Sequence, residues 1–153
     1  MEDRFDKVMS SVKRKFAKLR ESRKFRVTSL PKNMPSAGIY LFSQGSRCLY
    51  VGRTDNLKRR LQYHTRNNHN QATFAFLMAR QETGKTKPSY QPRGSREDLL
   101  KNPDFRNAFD AARENIKSMN VQFVAARNAI EQTILEVYTA VQTKAKYNNF
   151  ENH

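Results

Sequence analysis

Two short runs rich in β-branched and aromatic residues lie close together between residues 38 and 52, and they constrain the fold more than any other part of the chain. The runs are GIYLFS (38–43) and RCLYVG (47–52), and only the tripeptide at 44–46, which contains a glycine, separates them. This arrangement is typical of an antiparallel β-hairpin. We therefore expect a small sheet that is built on this hairpin.

Helical patterns dominate the rest of the chain. They cover 4–24, 55–66, 71–82, 102–119 and 127–142, and a third strand pattern covers 120–125. In the last helix, an apolar stripe is expected to face the core; it consists of Ile130, Ile134, Val137 and Val141. Strands mixed with helices in this way predict an α+β fold with a small antiparallel-containing three-stranded sheet flanked by helices.

The N-terminal segment 1–27 is predicted to be a basic amphipathic helix or arm, followed by one domain over 28–153 with a basic loop at 83–96. The apolar positions of the 4–24 helix fall on one face, with Lys and Arg on the other. One interpretation is that this face packs onto the domain. The alternative is a helix that binds a membrane surface or a partner.

The charge of the chain indicates a polyanionic partner. Lys and Arg number 29 against 14 Asp and Glu, a net charge of +15, and the excess lies in the N-terminal helix and in residues 53–96. Nucleic acid is the expected partner, with anionic membrane as the weaker alternative. The single Cys48 excludes a disulfide framework and a cysteine-based zinc site. With no signal core or membrane-spanning run, a cytoplasmic location is expected.

One apparent phosphate-binding motif fails on inspection. Gly84-Lys85-Thr86 resembles the end of a phosphate-binding loop, but that motif requires a glycine where this chain has Ala79, and no strand pattern precedes it. A nucleotide-binding site is therefore excluded at this segment.

The hairpin and the helix after it contain an unusual set of side chains. Tyr40 and Tyr50 lie in the two strands, and Gly52 closes the second strand. Arg60 and His64 are four residues apart in the next helix, so they are predicted to share a face. Each residue alone has an ordinary packing or surface interpretation.

Together, these residues resemble the GIY-YIG nuclease family. The chain has GIY at 38–40 and YVG at 50–52, with Val51 where the family more often has Ile, followed by Arg60 and His64. The family also has a metal-binding Glu on a later helix and an Asn near the end of the domain. Asn148 matches the latter.

Periodicity leaves Glu131 and Glu136 equally placed as the metal ligand, because both flank the apolar stripe. The resemblance implies Glu136, since the family places its Glu about three turns before a Tyr-Asn pair, and Glu136 precedes Asn148 by twelve residues.

The resemblance further implies a metal-dependent endonuclease that hydrolyses DNA phosphodiester bonds. Mg²⁺ or Mn²⁺ would be held by Glu136 with water and the substrate phosphate. Tyr40 would contact the attacking water, and His64 would accept or relay its proton. Arg60 would bind the phosphate. Tyr50 and Asn148 would orient groups around the centre.

A second layer of nucleic-acid contacts is expected around this centre, provided by Gly52, Arg53, Lys58, Arg59 and Arg66, and by Lys85, Lys87, Arg93 and Arg96 of the loop. Two alternatives remain. One is a non-catalytic module that binds nucleic acid, and the other is a structure-specific, repair or RNA-directed nuclease subunit that needs a partner. One site of this kind cuts one strand, so a homodimer or a partner protein is a further possibility that the sequence leaves open.

Overall fold

The computed structural model describes residues 3–68, 70–84, 96–148 and 150. Its helices and strands are α1 (Arg4–Glu21), β1 (Gly38–Gln44), β2 (Arg47–Thr54), α2 (Leu57–Tyr63), α3 (Thr73–Thr83), α4 (Arg96–Leu100), α5 (Pro103–Ser118), β3 (Asn120–Ala125) and α6 (Ala129–Thr143). Contacts divide the chain into two compact units, one from residues 1–60 and 119–148 and the other from 61–118 and 149–153. Within the described residues, no helix combines the length and the apolar composition needed to cross a membrane.

The first unit contains a three-stranded antiparallel sheet in the order β2-β1-β3, which confirms the predicted fold class. The hairpin turns at Gly45, whose φ of +57° suits glycine. The register pairs Tyr40 of β1 with Gly52 of β2 and with Phe123 of β3. Tyr40 therefore lies on the central strand, between two neighbours.

The two faces of this sheet are used differently because side chains alternate along a strand. Ile39 and Leu41 belong to the core cluster that also contains Val12 and Leu19 of α1. Tyr40 lies between them in sequence, so its ring is on the opposite face. The two helices α1 and α6 cover the Ile39 face, and the aromatic residues of the hairpin occupy the other.

A bulge in β2 places Cys48 and Tyr50 on opposite faces, whereas simple alternation along the strand would place them on one face. Phe42 pairs with Tyr50 but Ser43 pairs with Cys48, so Leu49 is an extra residue in β2. Cys48 consequently joins the core cluster, where its Sγ accepts a hydrogen bond from Arg20 Nη1 at 3.1 Å.

Helix α1 packs on the first unit, as the packing interpretation of its amphipathic pattern predicts. It begins with a reciprocal capping box between Asp3 and Asp6. Val12 and Leu19 are fully buried, and Phe16 meets Tyr138 of α6 edge to face at 5.3 Å between ring centroids. Helix α1 and the sheet therefore belong to one compact unit. The domain boundary predicted at residue 27 stays a prediction.

Both edges of the sheet are covered by neighbouring backbone. Phe25 exchanges hydrogen bonds with Val121 of β3 at 2.9 and 2.8 Å. On the other edge, Tyr147 N–H donates to the carbonyl of Leu49 at 2.9 Å. Exposed strand edges invite pairing with other chains, and these segments block it.

The predicted core stripe of α6 is wrong at three of its four positions, because only Ile134 packs against the core cluster. Ile130, Val137 and Val141 are 68%, 40% and 66% exposed. The helix instead buries a mixed face with the residues Gln132, Leu135, Thr139 and Ala140. Leu135 fills the core beside the sheet, and the amide of Gln132 satisfies backbone groups at the strand ends, which a purely apolar face could not do.

The second unit is built largely from α3 and α5, with Phe74, Phe76, Phe105 and Phe109 fully or almost fully buried. Phe76 lies 5.1 Å from Phe105 between ring centroids. Helix α2, by contrast, is shorter than the predicted 55–66. Its N-cap is Asn56, whose Oδ1 accepts a hydrogen bond from the Arg59 N–H at 3.1 Å.

Candidate active site

Four of the predicted catalytic side chains interact around the hydroxyl of Tyr40. The Tyr40 ring is 1% exposed and lies 6.4 Å from the ring of Tyr50, centroid to centroid. The guanidinium of Arg60 on α2 hydrogen-bonds the hydroxyl, and Glu136 on α6 interacts with it electrostatically. Residues far apart in sequence thus act on one phenol.

Gly52 makes room for that phenol. Because Tyr40 and Gly52 are directly paired across the hairpin, a Cβ at position 52 would lie 2.2 Å from the Tyr40 hydroxyl oxygen and 2.3 Å from Cζ. Only a glycine lets the ring lie over the neighbouring strand. The structure therefore supports a packing role for Gly52 against Tyr40. The close approach of Gly52 to nucleic acid stays a prediction.

The pKa of Tyr40 is raised above its ordinary value, because burial disfavours the phenolate and the Tyr50 phenol adds to the effect. Arg60 acts in the opposite direction through its charge and its hydrogen bond, while the Glu136 carboxylate raises the pKa further. Tyr40 is therefore protonated at neutral pH. It could accept a proton from water only with additional positive charge nearby.

Glu136 is a half-buried carboxylate on the side of α6 that faces β2. Burial raises its pKa, and the charge of Arg53 together with a hydrogen bond from the Arg53 backbone N–H partly offsets this. A carboxylate partly withdrawn from water is stabilised when a cation binds beside it.

Glu131 is held elsewhere. Its carboxylate pairs with Lys15 Nζ at 2.7 Å and accepts a hydrogen bond from the Ser11 hydroxyl, both on α1. Five residues correspond to about 140° around an α-helix, so Glu131 and Glu136 point to different sides of α6. The contacts of Glu131 are those of a structural carboxylate that joins two helices.

Asn148 is bonded to the backbone of the hairpin. Its Nδ2 donates to the Val51 carbonyl and its Oδ1 accepts from the Val51 N–H, each at 2.8 Å. These two bonds hold the outer edge of β2 between Tyr50 and Gly52. The geometry makes Asn148 a residue that holds this strand in place, and its predicted role of orienting groups around the centre stays a prediction.

His64 lies one residue beyond the end of α2, whereas its spacing to Arg60 predicts a position within the helix. The helix ends at Tyr63, and the His64 N–H donates to the Leu61 carbonyl at 3.3 Å in a tighter turn. Its ring is fully buried, 6.3 Å from Phe74 between centroids, within the second unit. Its predicted proton-relay role stays a prediction.

The outer basic residues are placed unevenly. Arg53, Lys58 and Arg59 are exposed in the first unit. Arg66 is exposed in the second, with its guanidinium 4.3 Å from the Tyr63 ring centroid. Arg96 begins α4 and lies over Phe76 at 4.9 Å. Lys85, Lys87 and Arg93 lie outside the described residues.

Gln132, which no sequence pattern singled out, is 1% exposed. Its Nε2 donates to the carbonyls of Ala126 and Thr54 at 2.8 and 3.3 Å, and its Oε1 accepts from Arg53 Nη1 at 3.2 Å. Gln132 therefore ties the ends of β2 and β3 together and holds Arg53 beside Glu136. Its position four residues before Glu136, on the same helical face, is a signal that could have identified it.

The donor set determines which metal could fit here. The described residues contain no cluster of three His, Cys, Asp or Glu side chains, which argues against a closed all-protein site. One half-buried carboxylate beside tyrosine hydroxyls fits a hard cation such as Mg²⁺ that keeps most of its water ligands. It would not suit a soft metal.

Comparison with known proteins finds two similarities. Residues 36–92 match the family model of the GIY-YIG catalytic domain. The UvrABC system protein C of Aquifex aeolicus (strain VF5) is 27% identical over 124 residues, which cover 80% of this chain. The chain spans only 15% of that curated relative's length. No solved structure matches significantly.

Proposed function

We propose that this chain, whose residues 36–92 match the GIY-YIG catalytic domain of a nuclease family, is a metal-dependent endonuclease that hydrolyses DNA phosphodiester bonds. The observation that carries the proposal is the convergence of Arg60, Tyr50 and Glu136 on the hydroxyl of Tyr40. A basic chain of net charge +15 also fits a polyanionic substrate.

Arg60 binds the scissile phosphate in this proposal. A guanidinium has five N–H donors in a fixed fork, so it can bond a tyrosine hydroxyl and a phosphate oxygen together. Its permanent positive charge stabilises the negative charge that develops on the phosphoryl group. Because it also bonds Tyr40, the phosphate and the hydroxyl would be held in a fixed relation.

Tyr40 orients the attacking water. Its hydroxyl is protonated in the resting site, so it first acts as a hydrogen-bonding group, and it accepts a proton only when cations lower its pKa. Tyr50 packs beside it and Asn148 fixes the strand that carries Tyr50. His64 would accept or relay the proton, as the resemblance implies.

Glu136 would hold the divalent ion, Mg²⁺ or Mn²⁺. When bound, the ion supplies Lewis-acid stabilisation of the phosphoryl charge and of the leaving oxygen. Arg53, held by Gln132, and the exposed Lys58 and Arg59 would contact the nucleic-acid backbone.

The test is a plasmid-nicking assay with Mg²⁺ or Mn²⁺. Glu136→Gln removes the carboxylate charge at nearly constant volume, and Glu131→Gln is the matched control on the same helix. We expect wild type and Glu131→Gln to nick, and Glu136→Gln or added EDTA to abolish nicking while duplex binding persists.

Three outcomes contradict the proposal in different ways. Equal loss in both variants shows that Glu136 is not the distinctive ligand. Nicking that survives EDTA excludes the metal. Wild type that binds duplex but cleaves neither duplex, branched DNA nor RNA indicates a non-catalytic binding module.

A further inference from the structure

One flank of α1 carries a concentration of positive charge that the proposed active site does not use. Its basic residues fall within about 100° of the helix circumference, whereas Asp6 and Glu21 lie outside this sector. We call it the α1 basic flank, and it consists of Arg4, Lys7, Arg14, Lys15 and Lys18. All are exposed except Lys15, which is half-buried.

The flank continues into a cleft beside the start of α6. This open cleft, of about 420 Å³, is lined by Lys15, Lys18 and Arg127, by the backbone that follows β3, and by Glu131. Glu131 is already paired with Lys15, so the cleft keeps a net positive charge. Basic side chains from α1 and from the β3–α6 connection therefore converge on one surface.

The α1 basic flank is separate from the proposed active site within the first unit. Helix α1 packs through Val12 and Leu19 onto the sheet face of Ile39 and Leu41, opposite to the Tyr40 ring. Glu131 points to this flank, whereas Glu136 points to β2. A nucleic-acid segment held at Tyr40 would therefore leave the α1 basic flank available.

We propose that the α1 basic flank is a second nucleic-acid surface, which binds the phosphate backbone of a separate segment. From Arg4 to Lys18 the helix rises about 21 Å, and one strand of a duplex presents about six phosphates over that length. These side chains contact phosphates and not base edges, so binding to this surface does not depend on the nucleic-acid sequence. One chain then holds two segments at once.

A membrane surface is the less suitable partner for this helix. An interfacial helix inserts its apolar face into lipid. In α1 the apolar face packs against the protein core, where Val12 and Leu19 are 0% exposed. Among the large apolar side chains of α1 only Phe5 is exposed, at 61%, so the outer surface of the helix is mainly charged, as binding to a phosphate backbone requires.

The test uses the full chain carrying Glu136→Gln, so that binding is measured without cleavage. Affinity for a labelled 30-base-pair duplex is measured from low to physiological salt. The test variant adds Lys7→Gln, Arg14→Gln and Lys18→Gln. The control adds Lys13→Gln, Lys32→Gln and Lys101→Gln, three exposed lysines outside the flank, so that both variants lose the same charge.

Titration with excess duplex should resolve one binding step for each surface. For the step at the α1 basic flank, we expect the magnitude of the slope of log K against log salt to fall by about 2.7 in the test variant, about 0.9 for each lost phosphate contact, and by much less in the control. The single variant Lys18→Gln should lower it by about 0.9. A duplex on beads should capture a second labelled duplex through the control protein but not through the test variant.

Equal slopes in the two triple variants, or equal capture of the second duplex, overturn the inference. Binding to anionic vesicles with no duplex binding overturns it in favour of a membrane. The inference rests on the proposed nucleic-acid substrate but not on catalysis, so a failure to nick plasmid would count against the proposed function alone. Circular dichroism checks that each variant is folded.

Discussion

Replacing Gly52 by alanine is a direct test of how the hairpin builds the site. The new Cβ would lie 2.2 Å from the Tyr40 hydroxyl oxygen, whereas ordinary contacts begin at 3.4 Å. The phenol would have to retreat by at least the difference of 1.2 Å. It cannot do so freely, because the ring is 1% exposed and packs against Phe42 and Tyr50.

Two consequences of different size are expected. Overpacking of this kind lowers the free energy of unfolding by about 1–3 kcal/mol. A displacement near 1 Å of a group that orients a reactant costs about 10²-fold in rate. Gly52→Ala should therefore remain folded in urea titrations, with a reduced midpoint, and should nick plasmid about 10²-fold more slowly than wild type.

Gly45→Ala separates geometry from stability. Gly45 is in the hairpin turn with a φ of +57°, and nothing lies within 4 Å of its Cβ position. Alanine there costs about 1–2 kcal/mol of backbone strain without touching Tyr40. We expect a similar loss of stability with nicking retained.

A double-mutant cycle identifies the clash itself. In a Tyr40→Leu background the phenol ring is gone, so Gly52→Ala should cost less than about 0.5 kcal/mol, as at an unconstrained site. An equal cost of Gly52→Ala in the presence and absence of the Tyr40 ring would refute the steric argument. Unchanged nicking by Gly52→Ala would refute its connection to the site.

The remaining predictions concern the other contacts of the first unit. Arg60→Ala should lower turnover by about 10²–10³, the scale of one preorganised charge stabiliser, and a fall below about threefold would remove Arg60 from the centre. Asn148→Ala removes two hydrogen bonds to the Val51 backbone, so it should lower the free energy of unfolding by about 1–3 kcal/mol and speed hydrogen exchange of the Val51 amide. Unchanged exchange of that amide would contradict this prediction. Leu135→Ala should lower the free energy of unfolding by about 2–5 kcal/mol and Val141→Ala by less than about 0.5 kcal/mol, both measured by chemical denaturation. A larger loss from Val141→Ala than from Leu135→Ala would contradict the assignment of the buried face of α6.

The local sequence was sufficient for the hairpin and for the placement of three predicted site residues on its strands. β-branched and aromatic residues around a glycine turn specify paired strands whatever surrounds them, and Tyr40, Tyr50 and Gly52 are carried by those strands. Charge and helical spacing likewise predicted α1 correctly as a packed amphipathic helix. The resemblance then pointed to Glu136, and the contacts of Glu131 with α1 are consistent with that choice.

Features that depend on several elements together could not be read in advance. The bulge at Leu49 turns Cys48 into the core because β1 fixes the register, and periodicity within β2 alone predicts the opposite. The apolar stripe of α6 was expected inside for the same local reason. In the structure the sheet needs hydrogen bonds at its strand ends, and Gln132 supplies them from the buried face.

The sequence by itself determined the strands, the helices and the residue types for phosphate chemistry, because these depend on local periodicity and on side-chain chemistry. The tertiary structure alone decided which side chains meet. Whether Glu136 faces Arg53 and Tyr40, and which face of α6 is buried, both depend on the orientation of this helix about its axis. That orientation is set by packing between segments distant in sequence, and no local pattern encodes it.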